Sequence, residues 1–300
     1  MLSIIEYINR PSLFFLSLIK RFNYLFPDRL YLQLLYRLEL GRKLDLKHPK
    51  RFTEKLQWLK LYDRNPLYTN LVDKLSVKEY VARLIGEESV IPTLGVWERA
   101  EDIDWNMLPD KFVLKTTHSG GGTGVILCND KLLLDKNKVE EILTRSLKQS
   151  VFPTLREWPY KNVPHRIIAE QLLDKDPIYD DVPDYKFYCF HGVPRVLLIA
   201  SNRFTSHNFD YFDMDFNNLG ITSNMGNRSA ISFTKPPCFD EMKKVASKLS
   251  HGFPHVRVDM YYSNNRIYFG ELTFYDSSGF DNMSSDRIDL EWGSWIKLPE

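Results

Sequence analysis

The segment KFVLKTTHSGGGTGVIL, residues 111–127, carries Lys115 on an apolar run, then His118, Ser119 and the glycines Gly120, Gly121, Gly122 and Gly124, then a second apolar run. Backbone N–H groups of a glycine loop can fold over phosphates while a lysine on the preceding strand supplies a point charge. A Walker P-loop is excluded, because it needs Gly-Lys-Ser/Thr opening a helix. The dinucleotide fingerprint also opens a helix, and here a strand pattern follows the glycines. A phosphate-covering hairpin and an ordinary solvent loop both remain, since Gly-rich turns are common.

A second stretch, VRVDMYYSNNRIYFGELTFYD, alternates with period two. Val256, Val258, Met260, Tyr262, Tyr268, Leu272 and Phe274 form one set, and Arg257, Asp259, Glu271 and Thr273 form the other, so each set takes one face of a hairpin. For both apolar sets to reach one core, the loop must hold an odd number of residues, such as Ser263 to Asn265, which places Arg257 roughly opposite Glu271. Two converging carboxylates suit a hard cation such as Mg²⁺, which takes one or two carboxylates plus substrate phosphates. An Arg257–Glu271 cross-strand ion pair beside a solvated Asp259 is the competing account.

These segments need elements to hold them. Helical periodicity runs from about 1 to 85: RLYLQLLYRLEL ends at Gly41, TEKLQWLKLYD opens with Thr53 as N-cap, and LVDKLSVKEYVARLI stops at Gly86. Short β-rich runs follow at 111–116, 124–128, 166–172, 185–190 and 195–200, with helical segments near 136–149 and 239–250. The class is α+β, and neither repeats nor long linkers interrupt the chain.

With 300 residues, 43% of them hydrophobic, the chain can bury a large core, which excludes disorder. Its net charge of +1 gives no global field for nucleic acid. Residues 1–60 nevertheless carry twelve Lys/Arg against five Asp/Glu, an excess of seven positive charges. The apolar N-terminal stretch is broken by Glu6, Arg10, Lys20 and Arg21, too soon for a membrane span and without a signal-peptide pattern. Helices packed on the body of the protein are the plain reading; an interfacial helix touching lipid beside Lys20, Arg21 and Arg29 is the other. Cys128, Cys189 and Cys238 fit neither a disulfide framework nor a zinc site, so a reducing cytoplasm is expected.

In order, the pieces are a lysine before a glycine hairpin, a strand with an acidic hinge (RIIAEQLL), then Arg-x-Asp and Glu-x-Thr on a terminal hairpin. This order resembles the ATP-grasp superfamily. The wording LPDKFVLKTTHSGGG, RIIAEQLL, DYKFYCFHG, DYFDMDF and RVDMYY…IYFGELTFYDSSGF, over about residues 45 to 290, resembles its TupA-like branch, found among genes for bacterial surface polysaccharides.

The resemblance implies ATP clasped between two α+β lobes after a helical region: residues 1–109, a lid subdomain at 110–174, and a metal-bearing subdomain at 175–300. It places Lys115 on the α and β phosphates with Ser119 to Gly124 over them. The backbone of Glu170, Gln171, Leu172 and Leu173 would read the adenine edge, and Asp184 would sit near the ribose. Asp259 and Glu271 would bind Mg²⁺. Thr273 stands where many relatives have asparagine, a better metal ligand than a hydroxyl, so the number of protein ligands there is open. Lys74 sits where relatives carry another nucleotide-contacting basic residue, or on an exposed helix face. His118 touches a phosphate or caps the loop. Lys186 and Arg203 bind an acceptor carboxylate or form ion pairs. Ser277, Ser278 and Gly279 line the acceptor pocket or form a turn.

The implied activity is carboxylate–amine ligation through an acyl phosphate, with Arg257 stabilising charge on the transferring group and the loop excluding water. The family's setting implies a uronic acid and an amino acid, joined in a capsule, O-antigen or teichuronopeptide. A phosphotransferase would use the same nucleotide site and stop at phosphoryl transfer. A regulatory or scaffold protein would bind ATP without turnover, and intact Lys115, Asp259 and Glu271 argue against it. A glycosyltransferase would need a D-x-D motif in a supporting context, and the DMD at 213–215 matches only in letters.

Overall fold

The computed structural model describes residues 11–120, 122–175, 181–202, 207–222 and 232–299. Among the described residues, five α-helices come first: α1 (Pro11–Arg21), α2 (Asp28–Leu40), α3 (Phe52–Tyr62), α4 (Leu67–Val72) and α5 (Val77–Ile85). Helix α2 stops as expected at Gly41, whose φ of 70° needs a residue without Cβ and whose N–H closes on the Arg37 carbonyl.

Two helix expectations are corrected. Thr53 lies inside α3, not at its N-cap, because its N–H and hydroxyl both donate to buried Asp289, at 2.9 Å each. The Glu54 carboxylate instead accepts the N–H groups of Lys50 and Arg51, at 2.9 and 3.0 Å. The run expected as one helix to Gly86 breaks after Val72. There the Asp73 carboxylate accepts the Leu75 N–H and the Ser76 hydroxyl, offering the backbone a turn in place of a helical bond.

The first sheet joins β1 (Thr93–Trp97), β2 (Phe112–Thr116), β3 (Val125–Cys128) and β4 (Ile167–Gln171) in the order β1-β4-β2-β3. Phe112, Leu114, Ile167 and Ala169 bury against Val139 and Leu143 of α6 (Lys136–Leu147). A short helix, α7 (Phe152–Leu155), follows.

The second sheet joins β5 (Asp184–Phe190), β6 (Val193–Ser201), β7 (Asn208–Phe212), β8 (His255–Ser263) and β9 (Arg266–Thr273) in the order β7-β6-β5-β8-β9. Phe187, Cys189, Val256 and Val258 share a core with Phe239, Met242 and Leu249 of α8 (Phe239–Ser250). Each such large side chain removed from water contributes roughly 1.5–3 kcal/mol. Helices α3 to α5 and α9 (Asp286–Trp295) contribute to this same cluster. No helix among the described residues is long and apolar enough to cross a membrane.

The β8–β9 hairpin departs from the odd-loop expectation. Ser263 pairs with Arg266 across a two-residue turn, Asn264 and Asn265, whose φ of 50° and 58° suit a tight hairpin turn. Parity is restored by a bulge, since Asp259 pairs with Glu271 and Met260 with Phe269, leaving Gly270 as the extra residue. The buried set on β9 is therefore Ile267, Phe269 and Leu272, not Tyr268, and Arg257 stands opposite Thr273. A Cβ on Gly270 would lie 3.0 Å from the Asp259 carbonyl oxygen, so the bulge needs glycine for close approach.

Candidate functional site

The hairpin register decides what shares a face. In β5, Lys186 pairs with Asp259 and Tyr188 with Arg257, while in β9 Glu271 pairs with Asp259 and Thr273 with Arg257. One face of three adjacent strands thus carries Asp184, Lys186, Tyr188, Arg257, Asp259, Glu271 and Thr273.

Arg257 clamps Asp259 with two bonds, Nε to Oδ1 and Nη2 to Oδ2, each 2.7 Å. Lys186 Nζ bridges Asp184 Oδ2 and Asp259 Oδ2, each at 2.5 Å. Arg257 also donates to Asp276, which in turn accepts the Tyr188 hydroxyl at 3.0 Å. Glu271 is reached more loosely, 3.5 Å from Arg257 Nη2, and its side chain is 37% exposed.

The electrostatics follow from these pairings. Burial alone would raise the Asp259 carboxyl, but Arg257 and Lys186 outweigh it and hold it below the usual range. Glu271 is lowered too, burial being outweighed chiefly by Lys74. Burial would lower Lys186, yet Asp184 and Asp259 raise it. Asp259, Glu271, Lys186 and Arg257 are each shifted toward their charged forms.

On the other sheet, Glu170 lies between two ammonium groups, with Lys78 Nζ at 2.5 Å and Lys115 Nζ at 2.6 Å. Burial would raise Glu170, but the two lysines hold it below its ordinary value. Burial lowers Lys78, which also donates to the Ile91 carbonyl at 2.7 Å.

Lys74 connects the two halves. Its Nζ donates to the Ser119 carbonyl at the entry to the glycine loop and lies 3.7 Å from Glu271 Oε2. Its backbone N–H donates to the Thr117 carbonyl at 3.1 Å, so the loop and the acidic hairpin face one another across Lys74.

Within the loop the polar groups differ in use. The Ser119 hydroxyl donates to the Thr123 carbonyl at 2.6 Å and accepts from the Thr116 hydroxyl at 2.7 Å, closing the loop on itself. His118 is buried under it, its Nε2 against the carbonyls of Ser146 and Gln149 and its ring stacked on His165 at 3.6 Å. Gly124, at φ 70°, packs so closely that a Cβ would meet Ser146 Oγ at 2.3 Å, whereas Gly120 and Gly122 face open space.

Gln171 is exposed and donates its N–H to the Pro92 carbonyl at 3.1 Å, and Leu172 and Leu173 are half-buried beyond it. Gly121 and Arg203 lie outside the described residues. Lys78 and Asp276 are additions that sequence reading misses. Lys78 lies four residues past Lys74, but nothing local shows that Glu170, 92 residues on, receives it.

The donor set offers a divalent cation an open site, not a cage. Among the described residues, no group of three or more His, Cys, Asp and Glu side chains is arranged as a complete metal cage. A carboxylate has about four acceptor sites. The bonds to Asp259 use three of them, leaving one on Oδ1, and Glu271 is half open. One or two carboxylates of this kind fit Mg²⁺, which completes its shell with waters and phosphate oxygens. Thr273 Oγ1 accepts from Arg257 at 3.1 Å and serves mainly as that arginine's partner.

A protein-family model described as TupA-like ATPgrasp matches residues 54–297. No curated protein matches the chain. Similar solved structures include D-alanine–D-alanine ligase from Helicobacter pylori, with 12% identity, TM-score 0.43, and coverage of 83% of this chain and 70% of that one. The ATP-complexed D-alanine–D-alanine ligase from Bacillus anthracis has 14% identity, TM-score 0.40, and coverage of 76% and 63%. The ATP-grasp ligase PsnB with minimal precursor, Mg and ADP has 12% identity, TM-score 0.39, and coverage of 74% and 57%. The chain thus spans between 57% and 70% of the length of these three.

Proposed function

The chain belongs to the TupA-like ATP-grasp family, and from that premise we propose that it is an ATP-dependent carboxylate–amine ligase. The observation that carries this reading is Lys74, whose ammonium donates to the Ser119 carbonyl of the glycine loop and lies 3.7 Å from Glu271, so that the loop and the acidic hairpin meet at one point.

In this reading Lys115 and Lys78 meet phosphate oxygens, and Glu170 keeps the two ammoniums apart until they do. Asp259 and Glu271 would hold Mg²⁺, which supplies charge neutralisation on the triphosphate. Arg257, held rigid by Asp259 and Asp276, faces the transferring group, where a preorganised donor stabilises developing charge. An acceptor carboxylate attacks the γ-phosphorus, giving an acyl phosphate and ADP. An amine then attacks the acyl carbon, the C–N bond forms, and phosphate departs. The glycine loop keeps water from the acyl phosphate in between.

The acceptor is a uronate-bearing sugar or glycan and the amine an amino acid, by the family's polysaccharide setting. Peripheral contact with an anionic membrane is part of the proposal. Phe14, Phe15, Tyr24 and Leu25 are all about half exposed or more, beside exposed Arg21 and Arg29.

Mass spectrometry of the purified protein with Mg-ATP and a panel of uronates and amino acids tests the activity. Amide product with ADP release that requires both partners is expected, and none from Glu271→Ala. A stable phosphoester without amide would make it a phosphotransferase. Sedimentation with phosphatidylserine vesicles, lost in Phe14→Ser/Phe15→Ser, tests the membrane contact.

A further inference from the structure

Beyond the strand that ends at Thr273 lies a loop with three consecutive left-handed residues: Ser277 (φ 47°), Ser278 (φ 53°) and Gly279 (φ 65°). Non-glycine residues pay roughly 1–3 kcal/mol each for such backbone, and it persists only where the surroundings over-determine it. Those surroundings come from helix α3. Gln57 Nε2 donates to the carbonyls of Ser278 and Gly279, at 3.0 and 2.9 Å. Lys60 Nζ donates to the Ser278 carbonyl at 2.6 Å and to the Leu155 carbonyl at 2.9 Å, and lies 4.7 Å from the centre of the Phe280 ring.

Lys60 is an unexpected choice for that task. It is 1% exposed, its nearest acid, Glu157, is bonded to the Ser278 hydroxyl, and burial pushes its ammonium well below the ordinary lysine range. A methionine of similar volume would pack there without that penalty. What an amine with several donors can do, and methionine cannot, is tie two peptide carbonyls from distant segments to one point. The loop so held begins at Asp276, the partner of Arg257 and Tyr188, and exposes Ser277 toward solvent.

We propose that Gln57 and Lys60 are positioning residues for the acceptor substrate: helix α3 fixes the loop Ser277–Gly279 against Arg257, so that a carboxylate-bearing acceptor meets that loop in one arrangement. This rests on the ligase reading, which places the acceptor beside Arg257. The helical region is then part of the active site rather than an appendage to it.

The test compares the full chain with its Lys60→Met variant. Hydrogen exchange at the Ser278 and Phe280 amides, which donate to Tyr275 and Ser277 at 2.8 and 3.0 Å, should quicken at least tenfold. Mg-ADP affinity by calorimetry should stay within about twofold; the melting temperature should fall, because buried Glu157 loses its cation, and the double variant Lys60→Met/Glu157→Gln should recover most of that loss. With the acceptor found in the ligation screen, KM for the acceptor should rise roughly tenfold or more, since small misplacements cost rate steeply, while KM for ATP holds. Unchanged exchange and acceptor KM in a folded variant would overturn the proposal, as would equal losses for ATP and acceptor. If Lys60→Met does not fold, Gln57→Leu and the double variant Lys60→Met/Glu157→Gln are read by the same two measurements. Wild type that binds no Mg-nucleotide would refute the ligase reading, and the exchange comparison would still decide the loop's dependence on α3.

Discussion

The two sheets use one device with opposite sign. On the four-stranded sheet one carboxylate, Glu170, lies between the ammoniums of Lys78 and Lys115, leaving an excess positive charge. On the five-stranded sheet two cations, Arg257 and Lys186, are shared among Asp184, Asp259, Glu271 and Asp276, leaving an excess of negative charge. Apart from half-open Glu271, both clusters are largely buried, so the imbalances are weakly screened. Each face is prepared for a partner it does not itself contain: an anion on one side, a cation on the other.

The strongest test of this contrast removes the anion that both cations of the larger sheet share. Asp259→Asn should destabilise the fold by about 3–5 kcal/mol, the cost of stranding buried charges, and should abolish ATP turnover. Urea unfolding measures the first part, and a variant as stable as wild type would mean the cations find other partners. Glu271→Gln should separate function from fold. At this half-open position stability should change by less than about 1 kcal/mol while turnover falls on the order of 100- to 1000-fold, read from Mg-dependent ADP release.

A third test sets the glycines of the two regions against each other. Gly270→Ala pushes a methyl to 3.0 Å from the Asp259 carbonyl oxygen and should cost about 1–3 kcal/mol. Gly120→Ala meets nothing within 4 Å and should stay within about 0.5 kcal/mol of wild type. Equal melting temperatures for the two variants would deny that the bulge is what needs glycine.

The mildest effect is with pH. Buried His255, on β8 beside the acidic face, donates its Nδ1–H to the Cys189 carbonyl at 3.0 Å, and burial pushes its pKa down to about 3. The unfolded chain binds that proton near pH 6.5, so stability is full above 6.5 and falls as pH drops toward 3, by up to about 1.4 kcal/mol per unit. The lowered carboxyls of Asp259, Glu170 and Glu271 act only below about pH 4.5, where the unfolded carboxylates begin to protonate. Denaturation at pH 7 and 5.5 reads the histidine window, which the lowered His118 and His191 share, and a His255→Gln variant with an equally steep slope would assign it to them.

Strands β2 to β6 and helix α8 are legible in the sequence because their apolar periodicity is local. So is the alternation in the last hairpin, but not its register: turn parity and bulge trade off, and only Gly270 hints at the second. Strand β1 hides because Gly95 sits in its middle and a bulge breaks its pairing between Thr93 and Gly95. The polar residues that sequence reading misses, Lys60, Lys78, Glu157 and Asp276, share one property. Lys60, Glu157 and Asp276 are buried and Lys78 half-buried, each is satisfied by a partner distant along the chain, and in a sequence such a charge is written like a solvated one.

The tip of the last hairpin has a mechanical consequence. Ser263 and Asn264 donate to the carbonyl and carboxylate of Asp174, at 2.7 and 2.8 Å, three residues past the end of β4. The glycine loop follows Thr116, which pairs with the opposite end of β4 at Ile167. With about 3.3 Å per residue between Ile167 and Asp174, the arm from fulcrum to loop is roughly 20 Å, so a tilt of about 10° swings the loop through some 3–4 Å, about the width of a water molecule. These two hydrogen bonds at one end act together with Lys74, which joins Ser119 to Glu271 at the other, in limiting such a tilt.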